Sequence, residues 1–319
     1  MIIPDLTQYD SPFLTKINTG LGNALFQIFA GYGLARKYNK KFNNINLKKQ
    51  INKLKNQYNL NHGETIYRNL KFYDDTINTI DDITINNNYK PLYKINECSG
   101  HSSVSNKIIN VIKTNNTNTI YITGYLQSHL YFNDYYNDIC ELIKPDLNSY
   151  NLINNKYPHL FDTNIINISV HVRLNWGCNI KYNEKFTFFF EAINYIKNNI
   201  SKQIEDNKKI IINIFSDDIK QLKNKFNVIN NDCIYYEDNL DYIDLWCMSL
   251  CHHNIISHST LSWWGAYINN FENKIVLYPK DILRMYGATI HKNPTHVERI
   301  YEHYKAEWIG LDTKNVIYQ

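Results

Sequence analysis

Apolar and polar positions follow two periods along this chain, and in its second half the two periods take turns. Strands are predicted at 165–173, 209–215, 234–236, 254–257 and 274–278. Helices are predicted between them at 187–198, 219–226, 242–251 and 262–269. Strands and helices that alternate at this spacing imply a parallel, doubly wound α/β sheet. The first half is less regular. It reads as a short strand at 13–18, a Gly-bearing turn at 19–23 and a helix at 24–38 with small and apolar residues at helical spacing. A strand follows at 42–47, then a polar, irregular stretch at 48–118, a strand at 120–123 and an aromatic-rich helix at 127–143. Pro145 and Pro158 bracket a polar segment that suits a linker, so the domain boundary is expected between Pro145 and Asp162. This divides the chain into residues 1–155 and 156–319.

Length agrees with two domains, since 319 residues are long for one compact core. Hydrophobic residues make up 44% and charged residues 20%, the balance of an ordinary globular protein. Asn, Ile, Lys and Tyr are in excess, as AT-rich coding produces. Runs such as 114–119 and 86–88 are therefore read as drift in loops rather than functional tracts. The net charge of +4, from 34 basic and 30 acidic residues, is too balanced for a dedicated nucleic-acid binder. An anionic small substrate needs only a local basic site.

Six cysteines lie scattered at 98, 140, 178, 233, 247 and 251, which favours reduced thiols over a disulfide framework. Cys247 and Cys251 can share a helix face and are followed by His252 and His253. A zinc site would want a second ligand pair at finger-like spacing, so two small core residues are the better reading. The amino terminus lacks a charged region followed by an apolar core, and no window approaches about 20 uninterrupted apolar residues. A cytoplasmic protein with no transmembrane segment is expected. On that reading the sequons at Asn115, Asn167 and Asn199 are chance matches in an Asn-rich chain.

Ligands of an open parallel sheet bind at the carboxyl ends of its strands, which directs attention to four places. Gly20-Leu21-Gly22-Asn23 opens a helix, where free amides and close backbone approach suit an anion or a sugar hydroxyl; a simple tight turn explains it equally. His171-Val172-Arg173 closes a strand. Alternation puts His171 and Arg173 on one face and Val170 and Val172 on the other. The Arg fork suits phosphate oxygens and the His a base or a phosphate contact, against a surface Arg beside a satisfied core His. Asp217 and Asp218 follow the next strand and could bind ribose hydroxyls, guanine nitrogens or a metal, or cap the following helix. In Ser259-Thr260-Leu261-Ser262-Trp263-Trp264-Gly265, hydroxyls and amides at a helix start could cradle a diphosphate or merely cap the helix. Trp263 and Trp264 could stack on sugar, though packing explains at least one of them.

In order along the chain, these stretches resemble the inverting α-1,2-fucosyltransferases of glycosyltransferase family 11. Gly20 through Gln27 is similar to that family's Gly-Leu-Gly-Asn-Gln-Met-Phe-Gln element, and Gly124-Tyr125-Leu126-Gln127-Ser128 to its Gly-Tyr-Phe-Gln-Ser segment. His171-Val172-Arg173 matches His-x-Arg, Phe215-Ser216-Asp217-Asp218 its Ser-Asp-Asp segment, and Asp244 through Gly265 its long carboxyl-terminal signature.

The resemblance implies a GT-B fold, two Rossmann-like domains facing across a cleft. It makes 1–155 the acceptor side and 156–319 the GDP-fucose side, with neither metal nor cofactor required. It implies that Arg173 neutralises the diphosphate with His171 near the nucleotide, Asp244 beside guanine, and Ser259 and Thr260 by phosphate, with Ser262 in the same cradle. Asp217 or Asp218 would lie near the nucleotide, and Gly22 and Asn23 would face fucose and acceptor, Asn23 counting with Arg173 and His171 as catalytic. The implied partners are GDP-fucose and a galactose-containing glycan. One departure stands out: the family continues His-x-Arg-Arg-Gly-Asp, whereas this chain reads Arg173-Leu174-Asn175-Trp176-Gly177. Two alternatives stay open, a GT-B enzyme using another nucleotide sugar and a glycan-binding protein that has lost catalysis.

Overall fold

The structure, a computed structural model, describes residues 2–4, 20–40, 42, 93–97, 104–114, 120–174, 186–200, 208–226, 232–280 and 303–311. The chain divides into two compact units, Met1–Lys144 with Glu298–Lys305, and Pro145–Val297 with Ala306–Gln319.

Among the described residues the first unit holds a parallel three-stranded sheet, β1 (Ile2–Pro4), β3 (Ile120–Gly124) and β2 (Tyr93–Glu97), in the order β1-β3-β2. Helix α1 (Leu21–Lys37) begins earlier than the predicted 24–38 and is buried on nearly every side. The Gly20-Leu21-Gly22-Asn23 stretch is thus the helix's N-cap and first turn, Gly20 serving as N-cap with no side chain to offer. The strand predicted at 13–18 lies outside the described residues. Within the stretch read as irregular, helix α2 (Asn106–Thr114) buries Ile108 and Ile112, an i, i+4 pair whose period is diluted by Asn and Lys on the other faces. The single helix expected at 127–143 is instead two 3₁₀ turns, His129–Tyr131 and Asn133–Tyr135, followed by helix α3 (Tyr136–Ile143). The break begins where Leu126 adopts a positive φ of 51° and the Ser128 hydroxyl oxygen accepts from Leu130 N.

The second unit is a six-stranded, wholly parallel sheet in the order β6-β5-β4-β7-β8-β9. Its strands are β4 (Ile165–Val172), β5 (Lys209–Ser216), β6 (Cys233–Tyr235), β7 (His253–Ile255), β8 (Val276–Pro279) and β9 (Ile309–Leu311). Among the described residues its helices are α4 (Leu147–Lys156), α5 (Phe186–Ile200), α6 (Ile219–Phe226), α7 (Asp241–Ser249) and α8 (Thr260–Tyr267). Every alternating element predicted after residue 164 is present, with its ends moved by at most two residues. The segment read as a linker is helix α4, capped by Asp146, whose Oδ1 accepts from Ser149 N at 2.7 Å. Its polar surface concealed it, because only Ser149 and Ile153 are buried.

Strand β4 has two different faces. Ile168, Val170 and Val172 enter an apolar core with Phe188, Ile193 and Ile196 of α5 and Leu222 of α6. Asn167, Ser169 and His171 point the other way yet are equally buried, at 0%, 1% and 4% exposure. Such a face is tolerable only if its polar groups are bonded. Asn213 Nδ2 donates to Asn167 Oδ1 at 3.0 Å, and Asn254 Nδ2 donates to Ser169 Oγ at 2.7 Å. Asn254 Nδ2 also donates to Met248 O at 2.8 Å, which sets α7 over this polar face.

Candidate active site

Order along the chain runs β4, β5, β6 toward one edge of the sheet and then returns to β7 on the opposite side of β4. The reversal between β4 and β7 is the switch point at which open α/β sheets leave a crevice beyond the strands' carboxyl ends. His171 ends β4 there. Its Nδ1 lies 2.8 Å from Ser257 Oγ, two residues past the end of β7, so a side-chain hydrogen bond spans the switch point. Burial first, and the Arg173 charge second, push the His171 imidazole down to about 4, so the ring is neutral near pH 7.

Arg173 follows His171 at the strand end with its side chain 42% exposed, and its Nε lies 3.4 Å from Asp217 Oδ2. The other oxygen of Asp217 accepts from Leu174 N at 2.7 Å. The β5 end thereby holds both the backbone just past Arg173 and its guanidinium. Asp218 does different work. Its Oδ1 accepts from Gln221 N at 3.0 Å, which caps α6.

Two residues beyond Ser257 the chain enters α8 with Ser259 as N-cap, and the Ser259 side chain makes no capping bond. The amides of the first helical turn, beginning at Thr260, carry the partial positive charge that suits an anion. The Ser262 hydroxyl is buried and donates to Ser259 O at 3.0 Å, bracing the turn. Trp263 and Trp264 are 1% and 0% exposed, and Trp263 stacks on Tyr267 at 4.8 Å, so both indoles are core. Gly265 has a packing reason: a Cβ there would lie 2.7 Å from Met248 Cβ on α7.

Asp244 lies elsewhere in the same unit, in the first turn of α7, whose N-cap is Leu240. Its Oδ1 accepts from Asn239 Nδ2 at 2.8 Å, and that same amide group donates to Tyr157 Oη at 2.8 Å while Asn239 Oδ1 accepts from Lys156 Nζ at 2.6 Å. Burial raises the Asp244 carboxyl to about 7, against the lowering effect of the Asn239 bond. Tyr157, Tyr236 and Phe215 stack beside this carboxyl at centroid distances of 4.1 Å for each successive pair.

Cys247 and Cys251 are buried free thiols, and Cys251 Sγ lies 3.4 Å from Cys247 O. His252 Nδ1 accepts from Asn167 N at 3.0 Å and His253 Nδ1 from Ile275 N at 3.1 Å, so both imidazoles are bound into the sheet.

In the first unit, two motifs about a hundred residues apart meet. Gln127 Nε2 donates to Asn23 Oδ1 at 2.9 Å, and Gln27 Nε2 donates to Gly124 O at 2.7 Å. Gly22 is buried in the first turn of α1 beside Asn23. The two bonds join the Gly20 to Gln27 element to the Gly124 to Ser128 segment, where Gly124 takes φ 136°. His303 Nδ1 lies 2.6 Å from Gln127 O and stacks on Phe26, tying the returning chain into the same unit. Ser257 and Gln127 act through partners far away in sequence, whereas Asn239 joins Asp244, five positions on, to Tyr157 and Lys156. Gln127 lay in a motif and Ser257 at the end of a predicted strand; Asn239 carried no local signal.

The fold and the switch-point site define an α/β protein with a polar crevice built around a neutral His, an Arg and a helix start. The model of Glycosyl transferase family 11 matches residues 13–312, and the chain belongs to that family; it is a glycosyltransferase. The O-antigen biosynthesis glycosyltransferase WbnK of Escherichia coli is 28% identical over 298 residues, covering 83% of this chain and 92% of the relative. An alpha-1,2-colitosyltransferase of Escherichia coli is 25% identical over 285 residues, covering 83% and 90%. A solved structure of an Arabidopsis thaliana FUT1 mutant in complex with GDP is similar at 10% identity over 87% of this chain and 70% of that one, with a TM-score of 0.48.

Proposed function

We propose that this glycosyltransferase moves L-fucose from GDP-β-L-fucose, with inversion, to the 2-hydroxyl of a β-galactoside, on a GT-B scaffold whose first unit serves the acceptor and whose second unit binds the donor. The observation that carries the reading is the grouping of His171, Arg173 and Asp217 at the switch point of a family 11 chain. Arg173 supplies counter-charge to the departing diphosphate, and the amides opening α8, with Ser259 and Thr260, add donors where a metal would otherwise be needed. His171 contacts the diphosphate as a neutral ring. Asp244 accepts from the guanine edge, Gly22 and Asn23 face the sugars, and Asp217, Asp218 and Ser262 hold this binding surface in shape. The transition state resembles an oxocarbenium ion, as in glycoside hydrolysis, so charge on the leaving group dominates and no side chain is named as base.

A second reading uses another nucleotide sugar, and the colitosyltransferase among the relatives favours it. No cofactor or metal enters either reading. Free, partly or fully buried cysteines suit a reducing cytoplasm, and among the described residues no helix is long and apolar enough to cross a membrane. The test is GDP release from GDP-fucose with a panel of β-galactosides, with and without EDTA, followed by linkage analysis. Fucose on the 2-hydroxyl, insensitive to EDTA, is expected. Transfer only from a different nucleotide sugar would overturn the donor assignment, and turnover lost to EDTA and restored by manganese would overturn metal independence.

A further inference from the structure

Strand β4 is tied to the β7 segment by more than its short backbone pairing, whose register covers only Ile168 to Val170. His252 Nδ1 accepts from Asn167 N, Asn254 Nδ2 donates to Ser169 Oγ, and His171 Nδ1 meets Ser257 Oγ, so three side-chain bonds climb the polar face toward the crevice. The topmost one differs from the others, because it ends on a ring at the site rather than in the sheet. With Nδ1 engaged and the imidazole 4% exposed, the ring cannot turn over without breaking a buried hydrogen bond.

We propose that Ser257 is a positioning residue: its hydroxyl donates to His171 Nδ1 and so fixes the tautomer in which Nε2 carries the proton and offers it to the nucleotide diphosphate. This rests on the reading above for the ligand that Nε2 meets. The chemistry forces the direction of the proton. A neutral imidazole has one N–H, diphosphate oxygens only accept, and a serine hydroxyl can either donate or accept. His171 can therefore donate to the diphosphate only if Ser257 supplies the proton at Nδ1. His252, just before β7, and His253, which opens it, already use Nδ1 as the acceptor, so the pattern has precedent within the sheet.

The experiment is long-range ¹H–¹⁵N correlation of the ¹⁵N-histidine-labelled full chain, with His171 assigned by its loss in His171→Asn among the 11 histidines. GDP affinity by calorimetry accompanies it. Wild type is expected to carry the proton on Nε2; Ser257→Ala is expected to mix or invert the tautomers and weaken GDP binding roughly three- to tenfold, the cost of one misplaced hydrogen bond. Ser257→Thr, which keeps the hydroxyl, is expected to restore both. A wild-type proton on Nδ1, an unchanged tautomer in Ser257→Ala, or a well-folded Thr variant that restores neither property would overturn the proposal. If wild type binds no GDP, the diphosphate reading fails, while the tautomer spectra still decide what Ser257 does.

Discussion

Among the described residues Arg173 pairs with Asp217 through Nε at 3.4 Å, and with its side chain 42% exposed that ion pair contributes little to stability. The guanidinium can leave Asp217 for a diphosphate at small cost. Arg173→Lys keeps the charge and removes the planar fork, so at saturating substrates turnover should fall at least about tenfold while the melting temperature stays close to wild type. Wild-type turnover in the Lys variant would return Arg173 to the status of a solvated strand end. Asp244 yields a different kind of test. Its carboxyl is raised to about 7, so between pH 8 and pH 6 it passes from mostly ionised to mostly protonated. Guanine presents a pair of N–H donors, and a protonated carboxyl keeps only one acceptor oxygen for them, so GDP affinity should weaken by up to about tenfold over that interval as the ionised fraction shrinks. The terminal phosphate of GDP titrates in the same window, so the same pH series on Asp244→Asn is the control. Identical pH profiles for the two proteins would detach Asp244 from the base. For stability the sign is opposite: a carboxyl raised by burial costs nothing below about pH 4 and its full penalty above about pH 7.

At the scale of elements, α1 shows how a small residue can matter through packing. A Cβ on Gly33 would collide with Tyr131 O and lie 2.8 Å from Phe132 Cα, both backbone atoms of the 3₁₀ segment that crosses the helix. Gly33→Ala should lower stability by about 1–3 kcal/mol even though Ala is the better helix former, because backbone cannot move aside as a side-chain tip can. A denaturation curve decides it, and a midpoint at or above wild type would mean that the contact is looser than it looks. The same pair of elements marks where sequence reading succeeded and where it failed. The apolar spacing of 24–38 announced α1, but the 127–143 stretch has equally helical composition and breaks into 3₁₀ turns. The reason is the αL residue Leu126 and the capping Ser128, features that periodicity does not register. Helix α4 is hidden from periodicity for the opposite reason: Leu147, Tyr150 and Leu152 are exposed, so its apolar residues do not mark an inward face.

At the scale of the molecule, period-2 and period-3.6 patterning by itself determined the α/β alternation after residue 164 and the opposite facing of Val170 and Val172 against His171. Both are local properties of strands and helices, and the motifs carried the family with them. Which strands become neighbours is not local. The return of β7 to the side of β4 creates the switch point, and it alone brings Ser257 to His171 across 86 positions of chain. The same holds for Gln127 and Asn23, 104 positions apart. Sequence also left open whether the carboxylates of Asp217 and Asp218 and the hydroxyl of Ser262 serve a ligand or the fold. In the folded chain Asp218 Oδ1 accepts from Gln221 N, the Ser262 hydroxyl donates to Ser259 O, and Asp217 lies against Arg173. A side chain's pattern specifies the face it occupies; its hydrogen-bond partner, and the burial that moves its proton affinity, exist only once distant segments have packed together.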